Sequence, residues 1–261
     1  MKHHIGIRAT TALLCATTAI ITGCGPGGAG TGAKDTAPAT ESTTEPKHPF
    51  DTMTPQQIDN QARQALKDAT SMRWTGRFNS DGRQMDVDLA MDIHGSCNGT
   101  IDADSMGTMH IIRKGPLVHV KAEEDFWRAS FSRGMTAEQT EEMVTLFTGR
   151  WVKPPKMMSQ VLGRMCEGFD AQIETLSLVS DSNPTREADT TVNGRPVAVL
   201  AERTPTETTT VYVAKKGKPY ALRISVTGGN EPIDVTITDH GKPVDTTPPP
   251  PDQVLDPTKL R

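Results

Sequence analysis

From Gln84 to Ile93 the chain alternates without a break: Met85, Val87, Leu89, Met91 and Ile93 are apolar, while Gln84, Asp86, Asp88, Ala90 and Asp92 fall between them. Successive side chains of a strand point to opposite faces, so this is a strand with one buried and one wet face. Such a strand belongs in an antiparallel sheet whose apolar side something else must cover. Upstream, Met72–Phe78 reads as a partner strand, joined through Asp81-Gly82, a hairpin turn signal. Downstream, Asn98-Gly99 turns the chain into Thr100–Asp104, and Gly107–Arg113 and Leu117–Ala122 follow across Lys114-Gly115. The last third repeats the pattern. Thr190–Val192 and Val197–Ala201 flank Asn193-Gly194, Thr208–Ala214 and Tyr220–Val226 flank Lys216-Gly217, and Ile233, Val235 and Ile237 alternate with Asp234, Thr236 and Thr238. Prolines 248–251 cannot pair as a central strand, so the tail is expected along the surface.

The covering layer is legible as helices. Thr54 is a good N-cap, Pro55 suits the first helical position, and Gln57 completes a capping box. Ile58, Ala62, Ala65, Leu66 and Ala69 then form one stripe. The middle third has no strand alternation. Glu123–Ser130 predicts a turn or two of helix. Thr136 with Gln139 opens another, carrying Met143, Leu146 and Phe147 and closed by Gly149. After the extended Trp151–Pro155, Lys156–Leu178 predicts one or two more, with Met158, Val161, Leu162, Met165, Phe169 and Ile173 available for burial. Hairpins, a helical insertion and further hairpins define an α+β domain: a twisted, curved antiparallel sheet with helices packed in its concave face.

The chain begins with a basic stretch (Lys2, His3, His4, Arg8), and an apolar run from Ala9 to Ile21 leads to Ile21-Thr22-Gly23-Cys24. That is the layout of a secretory signal. The run is too short to cross a hydrocarbon layer of ~30 Å as a helix. Its last four residues resemble the lipobox of bacterial lipoproteins. The resemblance implies that residues 1–23 are a signal peptide and that Cys24 carries a diacylglyceryl group holding the mature protein at the outer face of the cell membrane. Two acyl chains suffice for stable anchoring where one does not. Residues 25–49, rich in Gly, Thr and Pro, have almost nothing to bury and read as a disordered tether of roughly 25–30 Å coil span. Gly25, Gly27 and Gly30 match a dinucleotide-binding pattern by accident, since no strand precedes them. The folded domain is expected over 50–261.

Of four cysteines, Cys15 leaves with the signal and Cys24 is acylated. Cys97 and Cys166 remain, and in an oxidising compartment they are expected to form a disulfide, the alternative being two separate buried thiols. The formal charge is −4, or −6 once Lys2 and Arg8 are removed, which argues against nucleic acid and against broad contact with anionic lipid.

In order and spacing the chain resembles the actinobacterial lipoproteins of the LppX/LprG type, whose fold is shared with the lipoprotein carrier LolA. The likeness rests on the lipobox, the tether, the opening helix ending Ala65-Leu66-Lys67-Asp68-Ala69, Cys97-Asn98-Gly99-Thr100, Leu117–Lys121, Phe126-Trp127, Trp151-Val152-Lys153, Thr191–Gly194 and Gly217–Ile224. It implies a half-barrel with helices inside, and in some members the space between sheet and helices holds lipid acyl chains. A lipid or other apolar ligand is thus the expected partner, and Met85, Val87, Leu89, Met91, Met143, Leu146, Phe147, Met158 and Leu162 are its candidate contacts. Twelve methionines beside few aromatics suit an adaptable apolar surface as well as ordinary core filling. The alternative is a tethered interaction module of the cell envelope with no small ligand.

Nothing in the sequence reads as an enzyme. There is no GxSxG, SxxK, HExxH or P-loop. Asp86, Asp88 and Asp92 could hold Ca²⁺, but period-two spacing favours a solvated face. His94, His110, His119 and His240 are scattered, and Asn98-Gly99-Thr100 reads as a turn rather than a glycosylation site. No cofactor and no metal is expected.

Overall fold

The computed structural model describes residues 48–80, 82–104, 106–132, 134–166 and 183–259. Cys24 and the tether lie outside them, as do Phe169 and Ile173. Residues 46–261 form one compact unit.

Five strands form an antiparallel meander: β1 (Ser71–Ser80), β2 (Arg83–Asp92), β3 (Cys97–Ala103), β4 (Gly107–Lys114) and β5 (Leu117–Ala122). Two-residue β6 (Trp151–Val152) pairs with β5. The second meander is β7 (Thr185–Val192), β8 (Arg195–Arg203), β9 (Glu207–Ala214), β10 (Ala221–Gly228) and β11 (Ile233–Thr238). β11 pairs antiparallel with β1, which joins both into one curved sheet of twelve strands. The tail lies at the margin of the sheet, as the prolines lead one to expect. Beyond the prolines, β12 (Val254–Leu255) adds to β6 in parallel as the sheet's edge strand. The prolines themselves stay out of the ladder, as their missing N–H requires.

The turns follow the sequence signals. Asn193 and Gly194 both have positive φ, 49° and 74°, the geometry that Asn-Gly hairpins adopt. Gly82, Gly115 and Gly217 are also left-handed. The alternation over 84–93 holds through Met91 and then fails: β2 ends at Asp92, whose carboxylate accepts from the His94 and Ser96 amides, and Ile93 is left 48% exposed. An Asp side chain bonding the backbone two residues on competes with the ladder and stops the strand. β7 also starts earlier than the Thr190 expected.

Four helices cover one face: α1 (Pro55–Lys67), α2 (Glu124–Phe131), α3 (Ala137–Phe147) and α4 (Lys156–Gly163). Thr54 and Thr136 form the capping boxes with Gln57 and Gln139. α1 lies against β9 and β10, α2 against β4, and α4 against β5. Within the described residues, Lys156–Leu178 yields α4 and a 3-10 turn, Arg164–Cys166. Ile58, Met72, Leu89, Ile111, Val120, Trp127, Phe147, Leu200 and Ile237 belong to one buried cluster, so sheet and helices share a core.

The outward face of the first meander is wet, and two of its aspartates pair with arginines. Arg77 grips Asp86 with two hydrogen bonds (2.9 and 3.1 Å), and Arg73 meets Asp88 at 2.6 Å. Exposed pairs of this kind contribute little stability, but they leave no open carboxylate set for a cation at Asp86 and Asp88.

Candidate functional site

The candidate contacts divide into three groups. Val87, Leu89, Met91, Phe147 and Leu162 are buried in the common cluster. Met85, Met143 and Met158 are partly buried and pack against it. Leu146 is half-buried and does not belong to it. Cross-strand register explains the first group. Met72 faces Met91, Trp74 faces Leu89, Gly76 faces Val87 and Phe78 faces Met85, so the inner row of β2 meets the inner row of β1 pair by pair. Register also puts Gly99 opposite Leu89 and Ile111. A Cβ on Gly99 would sit 2.0 Å from the Asp88 carbonyl oxygen, so this turn-like dipeptide is in fact a close approach of two strands. The Asn98-Gly99 turn expected from the sequence is therefore corrected: both residues lie inside β3, and glycine is there because the backbones crowd.

Over this inner face stands an aromatic group that motif reading underrated. Trp127 is fully buried on α2, with Phe126, Phe131 and Phe147 at centroid distances of 5.1, 5.9 and 5.1 Å. Its indole Nε1 has no acceptor among the described residues. An unmatched buried donor costs about 1–3 kcal/mol. Phe126-Trp127 was visible as a dipeptide, but nothing in its spacing marks it as central.

Cys97, at the start of β3, is bonded to Cys166 at the end of the 3-10 turn, with Cα atoms 5.5 Å apart. The bond fixes the last turn after α4 to the middle of the first meander. Arg113, which faces Cys97 across β4, reinforces the joint by donating from Nη1 to the Gly163 carbonyl at 2.7 Å.

Two hollows open on this half. One, of about 550 Å³ and mainly apolar lining, lies between His110, Lys121, Ala122, Thr148 and Gly149. The other, of about 610 Å³, lies between the β4–β5 turn, the start of α4 and the tail. Burial pushes His110 below its ordinary value, and Lys121 adds to the effect. Burial acts likewise on His119, with Lys153 beside it. His110 bonds Asn98 at 2.8 Å and packs on Trp151, which gives it a structural occupation. Among the described residues no three His, Cys, Asp or Glu side chains come together as a metal site, and no helix is long and apolar enough to cross a membrane.

No protein-family model matches the chain. No curated protein matches it either. Solved structures do. The chain is similar to the lipoprotein LppX of Mycobacterium tuberculosis at 13% identity and a TM-score of 0.47, over 74% of this chain and 97% of that one. It is similar to LprF of Mycobacterium bovis at 14% identity and a TM-score of 0.48, over 75% and 96%. A LolA-superfamily protein of Nitrosomonas europaea overlaps 73% of this chain and 94% of its own, at 10% identity and a TM-score of 0.24. The likeness is one of outline and brings no function with it.

Proposed function

We propose that this protein is a lipid-anchored, non-enzymatic lipoprotein of the cell envelope that holds a lipid or other apolar ligand between its sheet and its helices. One observation carries the reading. The inner faces of β1–β5 and the short helices α2–α4 share a single apolar core cluster that includes Met91, has Met85, Met143 and Met158 packed against it, and contains a buried indole donor, Trp127 Nε1, with no acceptor among the described residues. Flexible, polarisable side chains adapt to an acyl chain better than branched ones do. An ester or amide carbonyl at the head of such a chain supplies the acceptor that Trp127 lacks. Cys24 supplies the tether, and the Gly/Thr/Pro segment sets its reach.

The test is native mass spectrometry with lipid extraction on residues 46–261, produced in an actinobacterial host. Without Cys24 the protein carries no anchor of its own. Near-stoichiometric co-purified lipid supports the reading and names the lipid class. A clean protein mass, even after incubation with envelope extract, overturns it in favour of an interaction module.

A further inference from the structure

Among the described residues, the cleft of about 610 Å³ is lined by four cationic side chains, Arg113, Lys153, Lys156 and Arg164, and by one carboxylate, Asp256. For a chain of formal charge −4, that is a local concentration of the minority charge. Two of the four already have work. Arg113 holds the Gly163 and Gly115 carbonyls, at 2.7 and 3.1 Å. Lys153 lies 3.6 Å from Asp256, whose carboxyl is kept below its ordinary value by the Thr258 hydroxyl donating to it at 2.6 Å. The carboxylate in the cleft is thus already matched. Lys156 and Arg164 are exposed, and no ion pair engages either one among the described residues. α4 also begins here, with Pro155 at its N-cap and no side chain capping its first amides. First-turn N–H groups left open in this way favour a negative charge nearby.

The wall of the cleft has an apolar neighbour. Met157 and Val161 stand one helical turn apart on α4, and they are 77% and 58% exposed. Free-standing phosphate has no use for such a pair. A phosphate joined to acyl chains does.

We infer that this cleft binds a phosphate-bearing anion, with Lys156 and Arg164 supplying the charge, and that the source of the anion is a lipid headgroup presented at a membrane surface. This goes beyond the interior apolar site and does not depend on it: a headgroup can be held in the cleft whether or not a chain enters the core.

Residues 46–261 form a compact unit with its own core and disulfide, so they can be tested alone. Two probes separate the sources. The first is flotation with phosphatidylcholine vesicles, with and without phosphatidylinositol. The second is calorimetric titration with inorganic phosphate and with inositol phosphate. Binding is expected to vesicles containing phosphatidylinositol and not to phosphatidylcholine alone. The double variant Lys156→Gln/Arg164→Gln should bind those vesicles roughly 25-fold more weakly, at about fivefold per cation removed. Met157→Ser/Val161→Ser should weaken vesicle binding and leave the inositol phosphate titration unchanged. If the soluble phosphates bind with the same dependence on Lys156 and Arg164 while vesicles do not, the site stands and its ligand is a free phosphate. Binding of neither probe overturns the proposal. So does an unchanged affinity in a double variant that melts like the parent, or an equal loss from Arg77→Gln, a charge on the outer sheet face paired with Asp86. Should the cleft reading fall by these tests, lipid co-purifying with the double variant would still leave the interior reading intact.

Discussion

In the meander β1–β5 the outer face is wet and laced with Arg–Asp pairs, and only the inner face is apolar. In the meander β7–β11 the outer face is mixed, an Arg223–Asp234 pair sharing it with a second apolar cluster. Leu200, Val211, Val213 and Ile224 point inward with the main core, while Val192, Val197, Val199, Ala214 and Leu222 make a second small cluster with Tyr212 and Tyr220. A bulge between Ala221 and Arg223 shifts the register so that Leu222 joins this cluster. The second meander therefore has apolar residues buried on both faces, with α1 lying against β9 and β10. The first depends on three short helices, of 8, 11 and 8 residues, and on a disulfide. Helices this short are marginal without tertiary packing. The cover of the first meander is thus the more adaptable, although buried polar atoms without a partner among the described residues occur in both, Trp127 Nε1 in the first and Arg186 Nη1 and His240 Nε2 in the second. That difference in cover suits a binding protein, because the regions that open for ligands come from the low-stability end of a fold.

The largest expected effect is a break in the weaker half. Trp127→Ala empties the centre of the aromatic group and should cost about 3–5 kcal/mol. Hydrogen exchange should show the loss first in β3–β5, with β8–β10 keeping their protection. Equal loss in both meanders would mean that the halves unfold as one unit and that the contrast between them is only one of packing. Next comes the disulfide. The bridge spans a sequence separation of 69 residues, and its removal by Cys97→Ala/Cys166→Ala should cost roughly 2–4 kcal/mol, read by urea denaturation. The released segment is the one after α4, so the phosphate-dependent binding proposed for the cleft should weaken in the same variant. A variant that loses stability but keeps that binding would show that the cleft is held by Arg113 and the tail instead.

How much of this was legible in the sequence follows from which forces act locally. Strand alternation, Asn-Gly and Gly turns and capping boxes are local, and β1, β2, β4, β5, β8–β11, α1 and α3 stand where those signals put them, while β3 begins at Cys97 and takes in the expected turn. Burial on one strand face was legible too, which is why Val87, Leu89 and Met91 reach the core. Leu146 on α3 did not follow: it is half-buried and stays outside the common cluster. Ile93 failed because a single Asp92 side chain ended the strand first. The cleft was invisible for a different reason. Arg113, Lys153, Lys156, Arg164 and Asp256 come from four separate segments, and only the folded register and the returning tail bring them together. Gly99 was misread as a turn because a glycine demanded by a backbone 2.0 Å from a hypothetical Cβ looks, in sequence, like any other Asn-Gly.

The smallest effect tests the well-packed half. His240 follows β11 and stacks on Tyr220, ring centroids 4.0 Å apart and 6° from parallel, so it extends the outer cluster. Burial lowers its pKa from 6.5 to about 4, with Arg195 adding to the shift, and its Nε2 is buried without a partner among the described residues. The folded protein therefore holds this ring neutral, while the unfolded chain takes up a proton below pH 6.5. Stability from the stack is fully present above about pH 6.5 and is lost as the pH falls toward 4. Because the ring is partly exposed, the loss should be on the order of 1–3 kcal/mol rather than the full value of the shift. His110 and His119 are shifted in the same direction on the other half, so the wild-type slope alone cannot assign the effect. His240→Phe keeps the stack and removes the proton. Urea melts between pH 4 and 7 should be flatter for this variant than for wild type, and hydrogen exchange at pH 5 should place the wild-type loss in β9–β11. If the two proteins show the same slope, the acid-sensitive groups lie in the first meander, and the half packed on both faces is the one that acid leaves intact.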